Sequence, residues 1–435
     1  MQVFKFGGAS VNTVDRIKNV GEIIKSQHAG NGMMIIISAM GKTTNALEKV
    51  AEAFFEGRKE DAIQLFYVVK EQHLTTAKYL LVKNYLPCES QLNDFFTEVE
   101  WLLHDKPVRE YDYYYDQIVC IGEMLSTVII SHYLNEVNIK NTWLDVRDII
   151  RTDNEFRDAN IDWAVTEKQL QLAVGSSQSA VGSGQLQIAN FQLPTVFLTQ
   201  GFVGATDENE STTLGREGSD YTAAIFANLL QVESVTIWKD VEAVMNADPK
   251  IFKDAVPIAE LNYAEVTEMA YYGAQVIHPK TIKPLYQKSI PLHVKCFLDA
   301  NLAGTVVHNK PIKNLPPIIV KKANQVLLHF KCNDFSFIEE KRLEELYQLI
   351  HKFGIRPNLT QNGAITFICC VDDRDDKIQQ LAFASGDLFD IQIEKGLELL
   401  TVRHYNNGLL EELTAEKTIV LEQKNKETVQ FVVRS

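Results

Sequence analysis

The sequence predicts an α/β protein: an open, mainly parallel sheet with helices on both faces over residues 1–300, a linker at 301–317, and a ferredoxin-like region over 318–435. Three observations predict it. Unbroken apolar runs such as Met-Met-Ile-Ile-Ile at 33–37 suit strands covered on both faces, not strands with one face in water. These runs alternate with helical stretches, as parallel strands joined by crossover helices require. Beyond Pro316-Pro317 the order changes to the βαββαβ pattern of a ferredoxin-like unit, followed by part of another.

Taken in order, residues 2–6 form a strand, Gly7-Gly8 a turn, and residues 14–24 a helix with apolar positions at 14, 17, 20, 23 and 24. The strand at 33–37 ends in Ser38-Ala-Met-Gly-Lys-Thr-Thr-Asn45. Residues 46–135 are largely helical, punctuated at Leu86-Pro87 and Lys106-Pro107. A strand follows at 139–144 and a helix at 163–174, and the Gly/Ser stretch 175–184 has the composition of a flexible surface loop. Strands at 194–203, 234–238 and 290–297 then alternate with helical segments. In the C-terminal region a strand at 326–331, a helix at 339–353, a strand at 364–371, a helix at 377–389 and a strand at 397–402 make one unit. Strands at 418–422 and 428–433, with only 409–416 available for a helix, read as a truncated second unit.

At 435 residues, 46% apolar and 23% charged, the chain is long enough for two or three domains with cores of their own. A net charge of -14 argues against nucleic-acid or membrane partners, which need concentrated positive charge, so an anionic substrate must meet local cations. Six cysteines (88, 120, 296, 332, 369, 370) show no metal-type spacing and read as reduced thiols of a cytoplasmic protein. The chain opens on a strand with no apolar signal core. The longest apolar stretch, 118–134, carries Glu123 and several hydroxyls and reads as a buried helix, not a membrane span.

Two stretches concentrate the chemistry. In Thr213-Leu-Gly-Arg-Glu-Gly-Ser219-Asp220, two glycines free the backbone just before a helical run, so N–H groups at the helix start can face an anion. Arg216 suits a carboxylate or phosphate and Asp220 an ammonium, so one turn can read both ends of an amino acid. At the N-terminus, Lys5-Phe-Gly-Gly-Ala-Ser10 sets an ammonium at a strand's end, beside backbone that can approach phosphate closely. Gly41-Lys42-Thr43 is no P-loop, because that motif needs a glycine where the chain has Ile36.

The first stretch resembles the GRGGSD loop of aspartate kinases and the second their KFGG(T/A)S opening, both features of the amino-acid kinase fold. Gly122-Glu123-Met-Leu-Ser-Thr resembles the family's GE-x-x-S(T/A) segment. Trp238-Lys239-Asp240-Val241 with Asp248-Pro249-Lys250 resembles its nucleotide-holding TDV and DPR segments, and Gly273-Ala-Gln275-Val-Ile-His278-Pro279 its GAKVLHP segment. The C-terminal region resembles the ACT sensor domains fused to these kinases, which usually come as two complete units. The chain departs from the family at Glu217, where glycine is common, at Lys239 for threonine, Met245 for an aromatic, Lys250 for arginine, and Gln275 for a phosphate-contacting lysine.

The resemblance implies transfer of the γ-phosphoryl group of MgATP to the β-carboxylate of L-aspartate, the first step toward lysine, threonine and methionine. Within it, Lys5 and Asp220 are catalytic, and Thr44, Glu123, Arg216 and Ser219 hold the substrate. Lys5, Gly7, Gly8, Ser10, Lys239, Asp240, Lys250 and Lys280 hold the nucleotide, with ATP and Mg2+ as cofactors and no protein ligand assigned to the metal. The resemblance also implies a homo-oligomer paired through the ACT region and a lysine or threonine effector near residues 333–337 and 358–363; with the second unit truncated, lysine inhibition is expected to be weak or absent.

Several residues have plain structural alternatives. Lys5 and Lys250 could be surface lysines, Thr44 a helix cap, and Glu123 half of a structural ion pair; His278 reads as a packing or capping residue. The acidic, tyrosine-rich 111–116 reads as a packed segment, and Asp372–Asp376 as a solvated turn before a helix. Two other functions stay open: a non-catalytic amino-acid sensor, motivated by Gln275 and Glu217, and a kinase of another acidic amino acid.

Overall fold

A computed structural model describes residues 1–28, 32–175, 196–274 and 276–434. They form two compact units, one of Met1–Val244, Pro257–Thr267 and Val276–Ile312, the other of Met245–Val256, Glu268–Gln275 and Lys313–Ser435. Most of the Gly/Ser stretch at 175–184, and Gln275, lie outside the described residues.

The first unit contains strands β1 (Gln2–Phe6), β2 (Met33–Ile37), β3 (Asn141–Leu144) and β4 (Val196–Gln200), a hairpin of β5 (Val203–Ala205) and β6 (Ser211–Thr213), then β7 (Ser234–Lys239), β8 (Glu260–Asn262), β9 (Leu292–Cys296) and β10 (Thr305–His308). Apart from the hairpin they make one sheet in the order β3-β4-β2-β1-β7-β9-β10-β8. From β3 to β9 every pair is parallel, and β10 runs antiparallel to β9. All five residues of β2 are buried, as its unbroken apolar run requires for a strand covered on both faces. Phe6 stacks on Trp238 across the β1–β7 pair, with ring centroids 5.8 Å apart. Strand β10 forms within the stretch read as linker: Thr305 and Val307 are buried there, as β-branched residues on a covered sheet face should be.

Its helices are α1 (Val14–Gln27), α2 (Thr43–Phe55), α3 (Lys59–Leu80), α4 (Tyr85–His104), α5 (Tyr111–Val119), α6 (Ile121–Glu136), α7 (Trp163–Gly175), α8 (Gly218–Leu230), α9 (Tyr263–Tyr272) and α10 (Pro279–Lys288). α9 starts in this unit, and its last residues, from Glu268, count with the second. The apolar run at 118–134 divides at Cys120 between α5 and α6. By length and composition the stretch Tyr111–Glu136 could cross a membrane, but 89% of its apolar window is buried inside the protein. Burial on all sides explains why α6 shows no amphipathic stripe.

The second unit holds β11 (Ile318–Cys332), α11 (Glu340–Lys352), β12 (Pro357–Asn362), β13 (Thr366–Asp372), α12 (Asp375–Ser385), β14 (Phe389–Arg403), α13 (Asn407–Thr414), β15 (Thr418–Lys424) and β16 (Thr428–Arg434). All six strands join one sheet, β12-β13-β11-β14-β16-β15. The expected βαββαβ order is complete, and its least legible strand is β12, a sheet edge where only Leu359 is buried. β11 and β14 run to 15 residues each because both halves of the sheet share them. Gln325–Lys331 pairs with β13, while Ile318–Lys322 pairs with Leu399–Arg403 beyond a register shift. Val326, Leu328, Phe330, Ile350 and Ile378 form one core under α11 and α12. Leu400, Val402, Leu410, Val429 and Phe431 form another, against α13.

Candidate functional site

Strand order locates the site. From β1 the chain moves outward through β2 to β4, then returns to the other side of β1 as β7 and β9. In an open α/β sheet such a reversal leaves a crevice beyond the carboxyl ends of the strands, where ligands bind. A cleft of about 630 Å³ lies there, lined by the residues following β1, β2, β4 and β7 and by the start of α8. Two glycines let its walls close up. A Cβ on Gly8 would lie 2.6 Å from the Ala39 carbonyl oxygen, and one on Gly201 would lie 2.5 Å from the Ser219 Cβ.

On one side of the cleft stand the strand-end lysines. Lys5 Nζ lies 2.7 Å from Asp220 Oδ1, and Lys239 Nζ lies 3.9 Å from Asp220 Oδ2. Lys239 also donates a hydrogen bond of 2.5 Å to the Val276 carbonyl. Burial by itself would lift the Asp220 carboxyl, but the Lys5 and Lys239 ammoniums hold it below the usual carboxylate range. Gly7, Gly8 and Ser10 line the same side, with Ser10 buried, and Asp240 follows β7 at the exposed rim.

Glu123 lines the cleft from the first turn of α6 and is 3% exposed. Its Oε1 accepts the Ala39 N–H at 3.3 Å, and its Oε2 has no partner. Burial pushes its pKa up to about 8, against the smaller pull of the Ala39 N–H and the Lys5 charge. Among the described residues no ion pair holds it, so the structural salt-bridge alternative finds no partner there. Thr44 lines the cleft as the second residue of α2, whose N-cap is Lys42, so Thr44 is not the cap. Ser219 is buried and Arg216 is exposed, both on the glycine loop and both lining the cleft.

That loop is held in an unusual way. Glu217, a non-glycine residue at φ 55°, precedes α8 in the left-handed region, and its Oε2 accepts the His278 N–H at 2.9 Å. His278 in turn caps α10, its Nδ1 accepting from the Lys280 N–H. Lys280 is paired with Asp158, and neither Lys280 nor Lys250 is among the residues lining the cleft. Lys250 belongs to the second compact unit, where its N–H closes a turn on Asp248.

Three contributors escaped sequence reasoning. Arg157 lines the cleft with its guanidinium 4.4 Å from the Tyr115 ring centroid and paired to Asp112 at 2.9 Å. Phe202, at φ 70° just after Gly201, forms another wall. Asp116, fully buried, accepts the N–H groups of Arg157 and Thr213 and the Thr213 hydroxyl, tying both cleft segments to α5. The acidic, tyrosine-rich segment thus does pack, as expected, and its one buried carboxylate was the available signal. Among the described residues no group of three or more His, Cys, Asp or Glu could hold a metal ion.

The profile of the amino acid kinase family matches residues 1–296. Lysine-sensitive aspartokinase 3 of Escherichia coli is 27% identical over 92% of the chain and 86% of its own length. Aspartokinase 1 of Arabidopsis thaliana, a chloroplast protein, is 32% identical over 85% of the chain and 63% of its own length. The crystal structure of E. coli aspartokinase III in complex with aspartate and ADP superposes with a TM-score of 0.79 at 26% identity, covering 100% of the chain and 96% of its own.

Proposed function

Because the chain belongs to the amino acid kinase family, we propose that its cleft catalyses phosphoryl transfer from ATP to the β-carboxylate of L-aspartate, giving 4-phospho-L-aspartate and ADP. The observation that carries the choice of acceptor is Glu123, a buried carboxylate with an unpartnered oxygen in the same cleft as Arg216. A buried carboxylate without a counter-ion is costly, and an amino acid's ammonium removes that cost. Arg216 takes the α-carboxylate as a bidentate donor, and Thr44 and Ser219 supply hydroxyls to the same molecule. An N-acylated acceptor has no ammonium, so this arrangement disfavours it. The bound aspartate and ADP of the E. coli relative support the same pairing of ligands.

The nucleophile is a carboxylate that is already ionised at neutral pH, so no general base is needed. The site has to align that oxygen with the γ-phosphorus and place positive charge around the phosphoryl oxygens. Lys5 supplies that charge and Asp220 fixes Lys5 in place. Gly7, Gly8, Ser10, Lys239 and Asp240 line the nucleotide side. Lys280 would reach the nucleotide only after leaving its pair with Asp158. Mg2+ usually binds through substrate phosphates, its own waters and one or two carboxylates. Asp240 at the rim offers a hard oxygen donor of that kind, and the ion would neutralise phosphate charge.

We assign catalysis to the first unit and amino-acid-dependent regulation, with self-association, to the second. The deciding assay is ADP release from MgATP with L-aspartate, L-glutamate and N-acetylglutamate as acceptors. Turnover on aspartate alone is the expected result. Aspartate binding without any turnover would make the protein a sensor.

A further inference from the structure

Two ammonium groups stand at the carboxyl ends of neighbouring parallel strands, Lys5 on β1 and Lys239 on β7, with Lys5 in register with Ile237. Both face one carboxylate. Asp220 can neutralise a single positive charge, and the geometry shows which lysine it serves: 2.7 Å to Lys5 is a contact pair, whereas 3.9 Å to Lys239 lies beyond hydrogen-bond reach. Lys239 is held instead by the Val276 carbonyl, a neutral acceptor that fixes the ammonium without cancelling its charge. An ammonium carries three hydrogens, and this bond uses one of them. The Lys239 side chain is 25% exposed and lines the cleft. The other lysines nearby are differently disposed: Lys280 is neutralised by Asp158, and Lys295 donates to the Ala300 carbonyl and does not line the cleft.

We infer that Lys239 is a second catalytic cation, facing the polyphosphate of the nucleotide and stabilising the charge that moves along it during transfer. This rests on the kinase reading above. In the step, an aspartate carboxylate oxygen bonds to the γ-phosphorus while the bond from that phosphorus to the β–γ bridging oxygen breaks. The bridging oxygen keeps the electron pair as ADP leaves, and no proton moves. Negative charge therefore grows toward the β-phosphate, and a fixed ammonium held by a neutral carbonyl is worth more there than one already paired. Sequence resemblance set Lys239 only among nucleotide-binding residues; its placement in the cleft, out of contact with the carboxylate that Lys5 holds, makes it part of the chemistry.

The test uses Lys239→Gln and Lys239→Arg in the full chain, with steady-state kinetics and with calorimetric binding of ATP and AMP. For Lys239→Gln, kcat should fall by roughly 10²-fold. The KM for aspartate should stay within about twofold, because Lys239 does not touch the acceptor. Affinity for ATP should drop while AMP binding, which also reports that the variant is folded, is unchanged. Lys239→Arg should recover part of the loss in both readouts. An unchanged kcat in Lys239→Gln, with or without a higher KM for ATP, would overturn the catalytic role. If Lys239→Gln does not fold, Lys239→Arg decides: full wild-type kcat and unaltered ATP-to-AMP preference would count against the inference, and a partial loss of both would support it. Should the wild-type protein bind nucleotide but turn over no acceptor, the kinase reading fails separately, and a lost ATP preference in the variant still locates Lys239 on the polyphosphate.

Discussion

The cleft holds two buried carboxylates in opposite states. Asp220 and Glu123 are each 3% exposed, so burial penalises both charges alike. Asp220 has Lys5 at 2.7 Å and stays ionised, below the usual carboxylate range. Glu123 has one N–H at 3.3 Å and an unpartnered oxygen, and its pKa rises to about 8. The difference lies in where the counter-ion comes from. A charge whose partner is part of the chain behaves as scaffold; one left without a partner is a receptor for a cation that arrives with the substrate.

The largest test of this contrast is Lys5→Met. It removes the ammonium assigned above to the phosphoryl group and strands Asp220 at once, so kcat should fall by about 10³-fold, and unfolding should cost about 3–5 kcal/mol less because a buried charge loses its partner. Denaturant titration reads the second effect, and unchanged stability would mean that Asp220 does not depend on Lys5. Glu123→Gln should behave oppositely. The KM for aspartate should rise by about 10–100-fold, the worth of a hydrogen bond to a charged group. Stability should hold, since Glu123 is already mostly protonated at neutral pH and the amide likewise carries no charge to desolvate. A loss of stability comparable to that of Lys5→Met would erase the distinction between scaffold and receptor.

The pH dependence is the next and smaller effect. With its folded pKa near 8 and an ordinary value near 4.5 when unfolded, Glu123 binds its proton more tightly in the folded state. Its contribution therefore favours the fold at low pH and declines as pH rises from about 4.5 to 8. Substrate affinity runs the other way, because the ammonium pairs with the ionised form. The KM for aspartate should fall by up to about tenfold per pH unit below the Glu123 pKa and level off above it, with proton release on binding near neutrality. Glu123→Gln should flatten both slopes, and a slope that survives the substitution would trace to another group.

Much of this was legible in the sequence, for identifiable reasons. β2 was visible because five consecutive apolar residues have few other folds available, and the glycine loop because its spacing constrains backbone and charge together. Lys5, Asp220, Glu123 and Arg216, widely separated in sequence, do meet in one cleft. What stayed hidden was whatever depends on partners distant in the chain. Arg157 enters the site through its backbone bond to Asp116, and no local pattern announces that contact. β12 was missed as a strand of its own because an edge strand that buries a single leucine has no alternation to read. Lys280, five residues past Gln275, reads in the sequence as compensating for the lysine that Gln275 replaces, yet it is drawn to Asp158, a residue 122 positions away. β11 and β14 looked short because the register shift that lets each serve both halves of the sheet falls at polar residues, Lys322 and Gln325.

The smallest predicted effect concerns Glu217, which lies between the two carboxylates in function as well as in position. Like Asp220 it has a partner within the chain, the His278 N–H at 2.9 Å, but that partner is a neutral dipole, so its charge is oriented without being cancelled. Its left-handed backbone at φ 55° costs about 1–2 kcal/mol relative to glycine. Glu217→Gly recovers that strain and loses a charge-assisted hydrogen bond of about 1.5–3 kcal/mol together with some unfolded-state restriction. The terms nearly cancel, and thermal unfolding should shift by only a few degrees. Kinetics should be more telling, because the carboxylate bordering a phosphate site disappears while the tie to α10 is cut. A lower KM for ATP with unchanged kcat would mark Glu217 as an electrostatic burden that the loop tolerates. A fall in kcat would mean that its bond to His278 sets the angle at which Arg216 and Ser219 enter the cleft.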